Sequence, residues 1–170
     1  GIGNPAQLHL TEDFTISAWA TLPVTGGYYG IVGKMKFVRL PRGMHGWMLY
    51  RGMNGGGIAG DNQYRFTIGD GEWPPHFTES YVTHPDSEWH FITVVAEKYE
   101  IRIYVDGVQT GSMTLLNSIV DSGEYASIGK MYSSHSAGEY GWFRGIIDEV
   151  KIWDYILSDE EILREYQRGL

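Results

Sequence analysis

Phe143-Arg-Gly-Ile-Ile-Asp-Glu-Val-Lys-Ile-Trp-Asp-Tyr-Ile-Leu-Ser-Asp-Glu-Glu-Ile162 reads as a strand, a tight exit and the start of a short helix. Phe143, Ile147, Val150, Ile152 and Trp153 are apolar, β-favouring residues, and Gly145 breaks the run. Ser158 is a good N-cap, and Glu161 three residues later completes a capping box. Asp159 and Glu160 put negative charge where the helix dipole favours it. Ile162, Leu163 and Tyr166 fall on one helical face, and Gly169 supplies a stop. Upstream the chain reads almost wholly as strands, so a single helix closes an all-β protein.

Strands are expected at Gln7 to Leu10, Thr15 to Leu22, Ile31 to Lys34, Gly46 to Arg51, Gln63 to Ile68, Tyr81 to Thr83, Glu88 to Glu97, Ile101 to Val105, Val108 to Thr114 and Ala126 to Lys130. In the second of these Ile16, Ala18, Ala20 and Leu22 alternate with Thr15, Ser17, Trp19 and Thr21. Both faces are apolar between Glu88 and Glu97, which makes that strand central. Asp106-Gly107 marks a two-residue hairpin turn. Met35 to His45, with Lys36, Arg39, Pro41 and Arg42, reads as an exposed loop, as does the polar segment Ser133 to Gly138. Glycines at 55–57 suit a hairpin tip. They lack the Gly-Lys-Ser/Thr ending of a phosphate loop, and no helix follows. The expected fold is an antiparallel two-sheet jelly-roll sandwich, one domain spanning 1–170.

Composition narrows the function. A net charge of −8 argues against nucleic acid or anionic lipid as partner, since both need a basic face. No apolar run reaches membrane-spanning length, so no membrane insertion is expected. The absence of cysteine excludes disulfides, thiol catalysis and thiolate zinc sites. The chain opens on Gly-Ile-Gly, which leads us to expect a module of a larger protein.

The segments "GIIDEVKIW" and "LSDEEI" resemble the last strand and closing helix of laminin-G-like jelly rolls of the concanavalin A-like lectin and glucanase superfamily. "WDYILSDEEI" is also similar to the end of pentraxins. "DFTISAWATL" resembles the family's early strand, and "SEWHFITVVAEKYEIRIYVDGVQTGSM" its central hairpin. The likeness runs in order from about the tenth residue to the end. It implies the same jelly roll, but family members differ widely in function. Animal relatives usually carry a disulfide, so its absence points toward a bacterial or similar module.

Glucanases of this fold resemble one another in a Glu-x-Asp-x-Glu strand that projects three carboxylates into a cleft. No such triple occurs. Asp148 and Glu149 are adjacent and on a regular strand point to opposite faces; Asp70 and Glu72 lie in a Gly/Pro segment without a third acid. Six scattered histidines and no Gly-x-Ser-x-Gly elbow leave nucleophilic catalysis without support, and His90 reads as structural. A polysaccharide-cleaving glycosidase therefore ranks third among the expected functions.

Many laminin-G-like domains hold calcium through hard oxygens. By resemblance, Asp148 with the segment around Asn4 would supply one set of ligands, or else bond to loop backbone; Asp61 and Asn62 offer adjacent hard oxygens at a glycine turn, where a plain turn pair is the favoured reading. Sugars need aromatic faces for their C–H surfaces and planar polar groups for their hydroxyls. Tyr28, Tyr29, Trp73, His76 and Tyr81 lie in or beside loops, with Trp73 presented by two prolines. Tyr50, Arg51, Asp61, Gln63 and Arg65 lie on the hairpin whose equivalents line the family's concave face, and the arginines suit an acidic sugar. Trp19, Trp47, Trp89, Trp142 and Trp153 read as core. The expected function is non-catalytic glycan binding by a module of an extracellular or cell-surface protein, with calcium in a supporting role. A protein–protein adhesion or spacer domain is the alternative.

Overall fold

A computed structural model describes residues 3–21, 28–39, 42–52, 63–72, 76–79, 87–115, 117–133 and 138–170, with the backbone alone described at 37–39, 42, 76–79, 131–133 and 138–140. The strands are β1 (Phe14–Thr21), β2 (Tyr28–Arg39), β3 (Arg42–Gly52), β4 (Gln63–Asp70), β5 (His76–Glu79), β6 (His90–Glu97), β7 (Glu100–Val105), β8 (Val108–Thr114), β9 (Ser127–Ile128), β10 (Met131–Ser133), β11 (Gly138–Tyr140) and β12 (Ile146–Trp153). One helix, α1 (Asp159–Arg168), follows. A first sheet has the order β12-β1-β6-β7-β8 and a second the order β5-β4-β3-β2-β9, with β10 and β11 forming a separate ribbon. Every named pairing among the described residues is antiparallel. The expected two-sheet sandwich with one closing helix is what the chain forms.

The core lies between the inner faces. Phe14, Ile16, Ala18 and Ala20 of β1 and Ile92, Val94 and Ala96 of β6 meet Trp47 and Leu49 of β3 and Tyr64, Phe66 and Ile68 of β4. Phe14 sits at the centre, with ring centroids 6.4 Å from Trp47 and 6.3 Å from Phe66. Burying each such side chain stabilises the fold by roughly 1.5–3 kcal/mol.

The outer face of the first sheet is closed by α1. Ser158 accepts from the Glu161 amide while the Glu161 carboxylate accepts from the Ser158 amide, so the expected capping box is formed. Ile162 is fully buried in a cluster with Val95, Tyr104 and Leu157. Tyr166 stacks on Trp19 at 5.7 Å and on Phe91 at 6.3 Å. The approach to the helix is pinned to β1: Thr15 Oγ1 donates to the Tyr155 carbonyl at 2.9 Å and accepts from the Leu157 amide at 3.0 Å. At the β7–β8 turn Asp106 and Gly107 both have positive φ, 53° and 78°. A Cβ at 107 would also come within 3.0 Å of Leu163 Cδ1. Glycine there serves both the turn and the helix contact.

Three local expectations are corrected. The segment Met35 to His45 is no loop: β2 and β3 continue through it in register, Met35 opposite Gly46 and Arg39 opposite Arg42. Its basic residues occupy a long hairpin, and Lys36 Nζ reaches Glu124 Oε1 at 3.2 Å. Gln7 to Leu10 forms no strand. The chain makes a 3₁₀ turn at Ala6–Leu8, where the Leu8 amide donates back to the Pro5 carbonyl at 3.0 Å. Part of the polar segment beginning at Ser133 ends the β10–β11 ribbon, Ser133 pairing with Gly138. The strand expected at Tyr81 to Thr83 lies outside the described residues.

Candidate functional site

Strand alternation gathers part of the expected site on the outer face of the second sheet. Trp47, Leu49, Tyr64, Phe66 and Ile68 point into the core, so their neighbours Met48, Tyr50, Gln63, Arg65 and Thr67 point outward. Register sets Tyr50 opposite Arg65, Met48 opposite Thr67 and Gly52 opposite Gln63. Tyr28, opposite Gly52 on β2, leans its ring against Tyr50 with centroids 6.1 Å apart. Gly52 makes that approach feasible, because a Cβ there would lie 2.7 Å from Tyr28 Cδ1.

The polar groups of this face are mutually tied. Thr67 Oγ1 donates to the Tyr50 hydroxyl at 3.2 Å, and Arg65 NH2 to Gln63 Oε1 at 3.5 Å. Burial pushes the Tyr50 hydroxyl's pKa up, against the opposing influence of Thr67 and Arg65. Tyr50 packs with Met35 and Met48 and, like Arg65, is buried, whereas Tyr28 is 38% exposed and Gln63 half-buried. Tyr28 and Gln63 thus form the accessible margin, and Tyr50 and Arg65 the floor.

Other expected members go elsewhere. Arg51 and Tyr29 pair with each other in register and fall on the opposite face from Tyr28 and Tyr50. Arg51 is wholly buried, its guanidinium over the Tyr64 ring at 5.4 Å. Tyr64 meets His90 edge-on at 6.0 Å, and His90 Nδ1 lies 2.7 Å from Asp106 Oδ2. Asp106 Oδ1 also accepts from the Phe91 amide at 2.9 Å. His90 is structural, as expected: it ties the sandwich interior to the β7–β8 turn. Trp73, Tyr81, Asp61 and Asn62 lie outside the described residues, and of His76 only the backbone is described, opposite Ile68.

Asn4 and Asp148, expected as calcium ligands, each engage protein partners. Asn4 donates to the Gly123 carbonyl at 3.0 Å and its Oδ1 lies 3.1 Å from His9 Nε2. Asp148 Oδ1 accepts from the Glu149 amide at 2.8 Å. Their oxygens serve separate local turns, and no group of three acidic or histidine side chains suited to a metal occurs among the described residues. Asp70, considered as a catalytic acid, is buried and accepts from Asn117 Nδ2 at 3.0 Å and from the Glu72 amide at 3.1 Å. It acts as a loop anchor.

A second concavity lies beside the end of α1, a cleft of about 350 Å³ lined by Trp19, Glu88, Trp89, Asp148, Glu149 and Tyr166 together with the terminal pair at 169–170. It arises from a bulge. Ser17 pairs with Lys151 but Trp19 with Asp148, so Glu149 and Val150 together oppose Ala18. Glu149 takes the left-handed conformation, φ 47°. Ile147, Val150 and Ile152 still pack on the core, leaving both Asp148 and Glu149 outside it. The expectation that these two acids face opposite ways is therefore corrected: the bulge brings both to one cleft. The sequence signal was the spacing 147, 150, 152, a three-residue step in a two-residue pattern. Trp89 and Trp142, expected in the core, are 43% and 54% exposed.

A buried ion pair supports the second sheet. The Lys34 side chain is fully buried on β2, and its ammonium donates to Asp121 Oδ1. Asp121 also accepts from the Gly123 amide at 2.8 Å. Although burial raises the Asp121 pKa, these bonds more than offset it and hold the carboxyl below its ordinary range.

Solved structures share this architecture. The CBM40 domain of the Ruminococcus gnavus IT-sialidase, bound to α2,3-sialyllactose, superposes with a TM-score of 0.75 at 12% identity, over 95% of this chain and 86% of that one. The binding domain of botulinum neurotoxin DC, in complex with SialylT, gives 0.65 at 14% identity over 99% of this chain. That of Paraclostridial Mosquitocidal Protein 1 gives 0.68 at 16% over 98%. The chain spans 38% and 40% of those two toxin fragments. No curated protein matches the chain. A family model described as the concanavalin A-like lectin/glucanases superfamily matches residues 2–163. With the order of its strands, its closing helix and this match in agreement, the chain belongs to the concanavalin A-like lectin/glucanase superfamily.

Proposed function

We propose that the chain is a non-catalytic glycan-binding module whose ligand lies on the outer face of the second sheet, at the margin formed by Tyr28 and Gln63 above Tyr50 and Arg65. One observation carries the reading: an exposed tyrosine, an amide and a guanidinium converge on a sheet face that carries no helix among the described residues. The tyrosine supplies a surface for sugar C–H groups, the amide both donates and accepts, and the guanidinium suits a carboxylate. An acidic sugar is the favoured ligand class. That the Ruminococcus gnavus CBM40 domain was solved with α2,3-sialyllactose, and the botulinum neurotoxin DC binding domain with SialylT, supports this choice. The setting we propose is a larger extracellular or cell-surface protein.

The described carboxylates support the non-catalytic reading. Asp70 is committed to Asn117 and the Glu72 amide, and among the residues whose side chains are described the outer-face group contains no pair of acids. An array of sialylated, uronic-acid and neutral glycans, run with calcium and again with chelator, tests the proposal. Retention of sialylated or uronic-acid glycans, lost in Tyr28→Ala, is the expected result; the chelator arm tests the supporting role of calcium. A blank array in both conditions would overturn the reading in favour of protein adhesion.

A further inference from the structure

Trp142 is 54% exposed, yet its place in the fold is fixed on both sides. The Gly141 carbonyl accepts from the Gly30 amide at 3.0 Å, and the Phe143 amide donates to the Gly129 carbonyl at 2.9 Å. Phe143 packs against the core, so alternation along the chain turns Trp142 away from it. The indole thus meets solvent on a tethered backbone, and a ligand covering it has few side-chain torsions left to order.

The same bonds set the indole beside the second-sheet margin. Gly30 lies two residues from Tyr28 on β2 and opposite Tyr50 of β3 in register. β2 gives its other edge to β9 at Val32 and Gly33. Toward Tyr28 that edge is continued by Gly129, whose amide donates to the Ile31 carbonyl at 2.9 Å, and then by Gly141. Two residues along a strand and one step across it put the Tyr28 and Gly141 backbones roughly 8 Å apart. Tyr28 and Trp142 are thus neighbouring accessible aromatics, one on β2 and one across its edge. Lys130 Nζ stands over the Trp142 ring, 5.8 Å from its centroid. Arg65 and Lys130 therefore place positive charge on both sides of the margin, in a chain whose net charge is −8.

We infer that the glycan face runs across β2 to Trp142 and Lys130, which form a second subsite for a further pyranose ring of the same acidic oligosaccharide. The indole takes the C–H surface of that ring, and the ammonium donates to its hydroxyls. The ligand is then at least a disaccharide, with its acidic ring at Tyr28 and Arg65 and a following ring at Trp142. An isolated acidic sugar fills only the first position and leaves the indole in water. The inference rests on the second-sheet reading and adds to it the length of the ligand and the direction in which it lies.

Methyl α-sialoside and α2,3-sialyllactose, titrated separately into the whole chain and followed in ¹⁵N spectra, test the assignment. The trisaccharide should bind about tenfold more tightly than the monosaccharide. Trp142→Ala should erase that advantage with unchanged melting temperature, and Lys130→Gln should reduce it. The indole N–H signal of Trp142 should shift with the trisaccharide and stay still with the monosaccharide, while that of the core Trp47 stays still with both. Binding of both ligands that is lost in Tyr28→Ala, but with equal affinities and a still Trp142 signal, would overturn the second subsite alone. Binding of neither ligand, or full affinity for both in Tyr28→Ala, would overturn the second-sheet reading and the subsite with it.

Discussion

The two sheets present similar faces to the core and different faces to the outside. Outside the first sheet, Trp19, Phe91, Val95 and Tyr104 are roofed by Ile162 and Tyr166 of α1 and by Leu157 just before it. Outside the second, no helix appears among the described residues; Met35, Met48 and Tyr50 pack on one another, with Arg65, Thr67 and Gln63 beside them and Tyr28 at the margin. An outer face rich in aromatic and aliphatic residues must be covered, and a capped amphipathic helix does so. A face that mixes methionines with a tied tyrosine, threonine and arginine has no such helix over it among the described residues, and Tyr28 and Gln63 give it an accessible edge. That asymmetry is the basis for placing the glycan on the second sheet.

The comparison breaks most severely where the second sheet relies on charge. Asp121→Asn leaves the buried Lys34 ammonium without its counter-ion. Losing one partner of a buried pair costs about 3–5 kcal/mol, with the lower end expected here because Asp121 is 24% exposed. Chemical denaturation measures the loss. Because the carboxyl is held below its ordinary value of 3.8, the stability it lends is present above that pH and is lost as pH falls through the depressed folded value. The variant should therefore lack that part of the acid-unfolding limb.

On the first sheet the corresponding weak point is neutral. Tyr104 donates to Asp159 Oδ1 at 2.7 Å, joining the sheet to the first turn of α1. Tyr104→Phe should cost about 1.5–3 kcal/mol, the range for a hydrogen bond to a charged group, read from the same denaturation curves. Burial, then the Asp159 bond, pushes the Tyr104 hydroxyl from an ordinary 10.0 up to about 12. Its contribution is full below pH 10 and is lost as pH rises through about 12, so the wild-type alkaline limb should flatten in the variant.

Ser158→Ala removes the N-cap and should cost about 1 kcal/mol, with amide exchange rising in α1 and leaving the second sheet unaffected. Smallest in stability is Tyr28→Ala. A side chain at the accessible margin can be lost with almost no change in melting temperature, yet glycan affinity should fall about tenfold, ~1.4 kcal/mol.

Signals carried by adjacent residues were legible in the sequence. The Ser158–Glu161 box, the Asp106-Gly107 turn and the β1 and β6 alternations each depend on neighbours a few positions apart, and each formed as expected. Features set by distant pairing were not. The β2–β3 hairpin runs through a basic stretch because backbone pairing continues beyond the apolar run, with Met35 against Gly46. Arg51, one residue from Tyr50, faces inward because alternation reverses it, and only the register with Tyr64 shows what receives it. The bulge at Asp148 and Glu149 needed the pairing with β1 to become visible, although the apolar spacing hinted at it. Of the expected ligand residues, Tyr28, Tyr50, Gln63 and Arg65 come together; they share one face of two neighbouring hairpins, which alternation alone could place.

The most direct test of the glycan face is amide perturbation mapping with α2,3-sialyllactose. The account predicts saturable shifts at Tyr28, Gln63, Arg65 and Thr67, with the α1 amides still. Shifts confined to α1 and the β12 bulge, with the second sheet unmoved, would contradict it.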